Sequence, residues 1–325
     1  MAVLGVLRET KAEMGTQEAR LALQEALARR GMSQTEAAKA IGVSNSTLSG
    51  WIRGTYQGDV EAVTQRVVGW LGLAKARENA PTRVVEFVET AVAAEILEVC
   101  RYAHVHRDIG LVYGEAGMGK TVAARHYARE HRDAVYVRCD PSVRNPTAAL
   151  SMLLQGLGRK ARAVGLYALT RELVDALEGT GRVLLLDEAQ FLSHRSLEVM
   201  RTIHDQAEVG LVLIGNLDIW TQLHGHGHAA FAQIFSRVGI RRLVQLGAPR
   251  EDIARLAACI VSGPVPEDCV KHLQAKACER GGIRRMVKVL RLAAELAVSE
   301  DVPIGVRHLQ MAEAMLIGGQ AVATG

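Results

Sequence analysis

What the 325-residue chain lacks narrows its class first. No stretch approaches the roughly eighteen uninterrupted apolar residues a helix needs to cross a bilayer, so no membrane span is expected. The opening "MAVLGVLRETKAEMG" has too short an apolar run and too many charges for a secretory signal, and the expected location is the cytoplasm. The five cysteines, Cys100, Cys139, Cys259, Cys269 and Cys278, form neither a C-x-x-C pair nor a zinc-like spacing. An odd number so spaced reads as reduced, mostly packed thiols rather than a disulfide framework. Charge of one sign is not in great excess: a net +4 permits a nucleic-acid partner without requiring one. With 49% hydrophobic and 23% charged residues, the chain is globular and long enough for more than one domain.

Strand-like runs are absent up to about Leu73, and this part reads as a series of short helices. Within "ARRGMSQTEAAKAIGVSNSTLSGWIRGTYQGD", Ser33 is expected to cap a helix with Glu36 completing a capping box, and Ala37, Ala38 and Ile41 follow at helical spacing. Gly42 makes a turn, Ser44 caps a second helix, and Leu48, Trp51 and Ile52 give that helix an apolar face. This is a helix-turn-helix pattern, whose second helix enters the major groove of DNA. Its spacing resembles phage repressors of the Cro and cI type over about 25 residues. Asn45, Ser46, Thr47 and Ser49 on the polar face are the candidate DNA contacts. The helix has no Arg or Lys before Arg53, so weak or non-specific contact is expected, and a purely structural helical bundle stays open as the alternative.

The middle of the chain carries explicit chemistry. In "GLVYGEAGMGKTVAARHYA", Gly114, Gly119, Lys120 and Thr121 fit G-x-x-x-x-G-K-[ST] between a strand-like and a helix-like segment. Gly114, Glu115, Ala116, Gly117, Met118 and Gly119 would turn backbone N–H groups around phosphates, Lys120 would reach the β and γ oxygens of ATP, and the Thr121 hydroxyl would ligate Mg²⁺. The following helix directs its N-terminus at the anion. Further on, "RVLLLDEAQ" supplies a continuous apolar run suited to a parallel strand covered on both faces, ending in two acids. Asp187 is the candidate Mg²⁺ holder and Glu188 the candidate activator of the attacking water.

From about Thr90 the chain alternates helix-like and strand-like segments, the signature of a parallel α/β sheet. Strands are expected at Ile109 to Tyr113, Ala134 to Arg138, Arg182 to Leu186, Gly210 to Ile214 and Ile240 to Val244. "AKARENAPTRVVEF" lacks periodicity and carries Pro81, so a linker is placed there. The organisation expected is a helix-turn-helix domain over 1–73, a linker over 74–88, an ATPase core over 89–248 and a small C-terminal helical lid over 249–325.

Three later features refine the class. "GLVLIGN" ends a buried strand with Asn216, a candidate to position the attacking water, although Asn after a strand is commonly a turn residue. "FSRVGIRR" sets Arg237 just before the last strand, and "GGIRRMVKVLRLAAE" opens a helix with Arg284. Together with "GEAGMGKT" and "LLLDEAQ", the order of these segments resembles the AAA+ transposition regulators of the bacteriophage Mu B type, over nearly the whole chain. The phosphate motifs specify the superfamily, and the repressor-like start joined to a short ATPase core narrows it. The resemblance implies ATP-dependent, non-specific assembly into helical filaments on double-stranded DNA, delivery of that DNA to a transposase and stimulation of strand transfer. It implies that Arg237 reaches the γ-phosphate of a neighbouring subunit and that Arg284 touches the γ-phosphate in its own. It also implies location in the host cytoplasm if a phage encodes the protein. A helicase loader or replication initiator is the alternative within the ATPase class, and a repressor-like regulator switched by nucleotide is the alternative outside it. The intact Asp187, Glu188 and Arg237 argue against the latter.

A filament needs basic groups facing phosphates. "GRKARAVG" offers Arg159, Lys160 and Arg162 between two helix-like segments, with Arg171 nearby, as candidate DNA contacts. A merely solvated basic loop is the competing reading. In "HGHGHAA", His224, His226 and His228 alternate with glycines and have no cysteine or carboxylate close by, so a loop is favoured over a zinc site.

Overall fold

In a computed structural model, residues 14–78, 81–83, 85, 87–224 and 237–316 are described. The chain divides into two compact units, Met1–Arg83 with Arg291–Gly325, and Val84–Leu290.

The first unit contains α1 (Thr16–Arg30), α2 (Gln34–Ile41), α3 (Asn45–Arg53) and α4 (Val60–Glu78). Ser33 accepts from the Glu36 backbone N–H while the Glu36 carboxylate accepts at 2.9 Å from the Ser33 N–H, the reciprocal box expected. Gly42 takes the left-handed conformation that ends α2, and Ser44 caps α3 by accepting from Thr47 N–H at 3.0 Å. Ala37, Ala38, Ile41, Leu48 and Trp51 meet Ala19, Leu23, Val63 and Val67 in one core. Trp51 donates its indole N–H to Thr64 at 3.1 Å, which lets so large a ring be fully buried without an orphaned donor. Helix α4 runs to Glu78, within the stretch read from sequence as linker, because Ala74–Glu78 are strong helix formers that need no apolar period to continue a helix.

The second unit alternates α5 (Ala91–His106), β1 (Ile109–Gly114), α6 (Lys120–Glu130), β2 (Ala134–Arg138), α7 (Pro146–Gly156), α8 (Leu166–Leu177), β3 (Val183–Asp187), α9 (His194–Ala207), β4 (Gly210–Ile214), α10 (Leu217–His224) and β5 (Val238–Val244). Helices α11 (Arg250–Ile260), α12 (Glu267–Ala277), α13 (Gly282–Ser299) and α14 (Val306–Leu316) follow, with α13 crossing the division at Arg291. The strands form a five-stranded sheet in the order β2-β3-β4-β1-β5, every pairing parallel. All five expected strands are present, with β1 extended to Gly114, β3 to Asp187 and β5 begun at Val238.

Alternation explains why these strands are apolar throughout. Along β3, Leu184 and Leu186 face a core shared with Leu150, Leu153, Leu173 and Met200, whereas Val183 and Leu185 face a second core with Ile96, Val99 and Ala123. A sheet covered on both faces buries successive residues on opposite sides. Each fully buried Leu or Ile contributes about 1.5–3 kcal/mol, so the central strands anchor whatever chemistry stands at their ends.

Candidate functional site

β3, β4 and β1 lie side by side and parallel, so their C-terminal ends share one edge of the sheet. β1 delivers the glycine loop, β3 delivers Asp187 and Glu188, and β4 leads into Gly215 and Asn216. In the loop Gly114, Gly117 and Gly119 have φ of 130°, 87° and 96°, a region closed to ordinary side chains. A Cβ on Gly114 would run into the Val244 carbonyl, and one on Gly117 into that of Gly281. Nothing lies within 4 Å of a Cβ built on Gly119, so the concave side is open to a ligand. Met118 is buried beneath the loop.

Lys120, at the start of α6, donates to the carbonyls of Gly114 at 2.8 Å and Glu115 at 2.6 Å. Burial lowers its pKa, against the opposing pull of Glu188, Asp187 and Glu115, and Arg284 lowers it further. The expected phosphate-binding cation, both acids and Arg284 therefore share one electrostatic neighbourhood. Thr121 occupies the first turn of α6.

Asp187 is 2% exposed and is held at both oxygens. Tyr136 donates its phenol to Oδ2 at 2.7 Å, and the Glu188 backbone N–H donates to Oδ1 at 3.0 Å. Each carboxylate oxygen retains acceptor capacity, as a metal ligand requires. Arg125 lies over the Tyr136 ring, 5.2 Å from its centre. The phenol is pushed far above its ordinary pKa by burial and by Asp187, so it remains a donor.

Glu188 adopts φ 56° and ψ 37°, a conformation that costs a non-glycine residue about 1–3 kcal/mol and is retained where a side chain must be aimed. Its Oε2 accepts from Gln190 Nε2 at 2.7 Å, and Oε1 lies 3.6 Å from Arg138. The Asn216 N–H donates to Gln190 Oε1 at 3.3 Å. The Asn216 side chain itself exchanges bonds with Asp218, donating at 2.8 Å and accepting the Asp218 N–H at 2.9 Å, so in this arrangement it acts as a turn-forming residue.

Tyr136, Arg138 and Gln190 escaped the sequence reading. Gln190 had a signal, standing two residues after the paired acids. Tyr136 and Arg138 had none, because only the pairing of β2 with β3, which sets Arg138 opposite Asp187, brings them there.

Arg284 opens α13 and donates its backbone N–H to the Gly117 carbonyl at 2.9 Å, seating the helix start against the phosphate loop. Arg237 is elsewhere. Val238 pairs with Ile109 at the beginning of β1, whereas the phosphate loop leaves β1 at its other end, Gly114. At a rise of about 3.3 Å per residue, this separates Arg237 from Gly114 by roughly 17 Å along the strands. Arg237 is half exposed and pairs with Asp205 Oδ1, while Asp205 Oδ2 accepts from Arg201 at 2.9 Å.

Arg159, Lys160 and Arg162 are exposed in the α7–α8 loop. Arg171, in α8, pairs with Asp175 at 3.2 Å. On α3, Asn45 and Ser46 are exposed, the Thr47 hydroxyl bonds Ser44 at 2.8 Å, and Ser49 accepts from Arg53 at 2.9 Å. His226 and His228 lie outside the described residues, as does the side chain of His224. Among the described residues no cluster of three metal-binding side chains occurs and no helix is long and apolar enough to cross a membrane. All five cysteines are free, and burial pushes the Cys100 and Cys139 thiols up to about 12, which leaves them unreactive.

Residues 103–223 match the family described as AAA domain and residues 23–60 the family described as helix-turn-helix. In fold the protein is similar to Cdc6p from Pyrobaculum aerophilum, with a TM-score of 0.57 at 17% identity over 75% of this chain and 72% of that one. It is similar also to a Drosophila ORC chain in the DNA-bound complex, with a TM-score of 0.54 at 18% identity over 76% and 66%. In sequence it is 31% identical over 273 residues to the ATP-dependent target DNA activator B of Escherichia phage Mu, covering 83% of this chain and 86% of that protein. The Mu-like prophage FluMu DNA transposition protein B of Haemophilus influenzae is 26% identical over 81% of this chain and 91% of its own length. With a parallel phosphate-loop core, a helix-turn-helix start and this extent of identity, the chain belongs to the Mu B family of AAA+ target DNA activators.

Proposed function

We propose that this protein is an ATPase that, with ATP bound, assembles as a helical filament on double-stranded DNA without sequence preference, delivers that DNA as target to a transposase and stimulates strand transfer. The observation that carries the reading is the place of Arg237. Standing at the end of the sheet opposite its own phosphate loop, it is unable to complete its own nucleotide site, and on leaving Asp205 it would complete a neighbour's. ATP then strengthens the contact between subunits, and its hydrolysis weakens it.

The glycine loop and the N-terminus of α6 would cradle the triphosphate, with Lys120 exchanging its carbonyl partners for phosphate oxygens. Thr121 and Asp187 would hold Mg²⁺, which when bound neutralises charge on the β and γ oxygens. Glu188, oriented by Gln190 and Arg138, would draw the proton from the attacking water. Asn216 would have to leave Asp218 to contact that water. Arg284, carried onto the loop by its backbone bond to Gly117, would sense the γ-phosphate in its own subunit. Residues 250–290 would thus serve as part of a lid closing over nucleotide.

Arg159, Lys160 and Arg162, with Arg171 behind them, would face DNA phosphates, and Asn45 and Ser46 on α3, with Thr47 and Ser49, would supply a second, weak contact. Electron microscopy of the full chain with ATP, Mg²⁺ and duplex DNA of arbitrary sequence tests the reading. Continuous filaments are expected. Closed rings would favour a helicase loader, and isolated dimers at one sequence would favour a repressor-like regulator.

A further inference from the structure

Within the same basic loop, the backbone and the side chains point to different tasks. Arg159 donates its N–H to Leu154 O at 2.8 Å, and the Glu172 carboxylate accepts the N–H groups of Arg162 at 3.2 Å and Ala163 at 2.9 Å. Leu157, Ala163 and Leu166 pack inward on the core. The loop is therefore pinned from beneath at several points, and its outward side chains are presented rather than adrift. Among those are Val164, 94% exposed, and Tyr167, 81% exposed, the two most exposed large hydrophobic side chains among the described residues. They follow Arg159, Lys160 and Arg162 within a few residues along the chain, and for those cations no ion pair occurs among the described residues. The nearby acids are engaged, Glu172 with loop N–H groups and Asp175 with Arg171.

An exposed apolar tip on the same loop as three exposed cations that make no ion pair among the described residues fits a partner with a negatively charged exterior and a stacked apolar interior, which is nucleic acid. A protein surface would have to offer an acidic ring around an apolar socket. We propose that Tyr167, backed by Val164, is a wedge that reaches the base pairs of the duplex held by Arg159, Lys160 and Arg162 and partly unstacks a base step. The inference rests on the reading of this loop as the DNA-facing one. Apolar side chains inserted in this way kink or unwind duplex DNA, and the cations alongside hold the distorted backbone. Tyr suits the position because its ring stacks on any base, which a protein without sequence preference requires.

The test uses the full chain with ATP and Mg²⁺ on relaxed closed-circular DNA, treated with a topoisomerase and then deproteinised so that the change in linking number can be read. At equal saturation, wild type is expected to shift the linking number, Tyr167→Trp to preserve the shift, and Tyr167→Ala with Val164→Ala to lose most of it. The double variant should also bind DNA about tenfold more weakly. Both positions are exposed, so an unchanged melting temperature is the control for folding. An unaltered shift in the double variant at equal saturation would overturn the wedge while leaving the DNA-facing loop intact. If Arg159→Glu with Lys160→Glu leaves DNA affinity and its salt dependence unchanged, the loop does not face DNA and both readings fall. Loss of ATP-dependent self-association of the double variant without DNA would assign the tip to a subunit contact and overturn the wedge.

Discussion

The phenol of Tyr136 donates a 2.7 Å hydrogen bond to Oδ2 of Asp187, from the strand beside the one that carries the acid. This bond fixes the rotation of a buried carboxylate whose other oxygen is tied to its own chain at Glu188 N–H. Tyr136→Phe keeps the ring under Arg125 and removes only the donor. Stability of the folded protein is expected to fall by about 1–3 kcal/mol, the usual effect of losing a hydrogen bond to a charged group. In titrations with Mn²⁺ followed by spin resonance, metal affinity of the ATP complex should weaken several-fold, while ATP binding in chelator stays as in wild type. Equal metal affinity would show that the phenol serves packing alone.

Lys120 bears a desolvation cost that nucleotide is expected to relieve. Its pKa is lowered first by burial, so the charged form is penalised in the folded state at neutral pH. That penalty disappears only as pH rises through the ordinary lysine range, because a depressed folded pKa favours the folded state at high pH. Lys120→Met should accordingly leave the melting temperature of the nucleotide-free protein within about 2 °C of wild type and abolish the rise that ATP produces. Calorimetric scans with and without ATP decide it. A retained ATP-induced rise would mean that loop N–H groups suffice.

Gly117 has a neighbour that forbids a side chain. With φ 87° and the Gly281 carbonyl in the way, Gly117→Ala must move either the loop or the start of α13. The Arg284 N–H to Gly117 O bond is lost in both cases. Urea denaturation is expected to report a loss of about 2 kcal/mol or more, and ATP affinity to fall with it. Wild-type values for both would mean that the close approach of these glycines is unimportant.

Arg237 offers a complementation test. Arg237→Ala should leave ATP binding by the isolated subunit intact and remove DNA-stimulated hydrolysis. Lys120→Ala should be inactive for the opposite reason, lacking its own nucleotide. In mixtures, a Lys120→Ala subunit lends its Arg237 to an Arg237→Ala neighbour, whose site is then complete, so hydrolysis should return to up to about a quarter of wild type, by random pairing of subunits. Arg241 and Arg242 need the same change as controls, since they follow on β5. No recovery, with co-assembly verified, would count against an arginine acting between subunits.

Much of this molecule was determined by sequence alone, wherever the signal is local. The caps at Ser33 and Ser44, the turn at Gly42, the glycine loop with Lys120 and Thr121, and all five strands follow from interactions between residues a few positions apart or from a continuous apolar run. Tertiary structure decided what depends on strand order and on approach between distant segments. It placed Tyr136 and Arg138 against Asp187 and Glu188 through the β2–β3 register. It brought Gly281 and Arg284 onto Gly117, and set Arg237 at the far end of the sheet from the phosphate loop. It alone left Val164 and Tyr167 outside the core, since two apolar residues between helices carry the same local pattern whether buried or bare. Local patterns fix which backbone forms. Which side chains meet is fixed by how the sheet orders strands far apart in the chain, and no short window of sequence carries that.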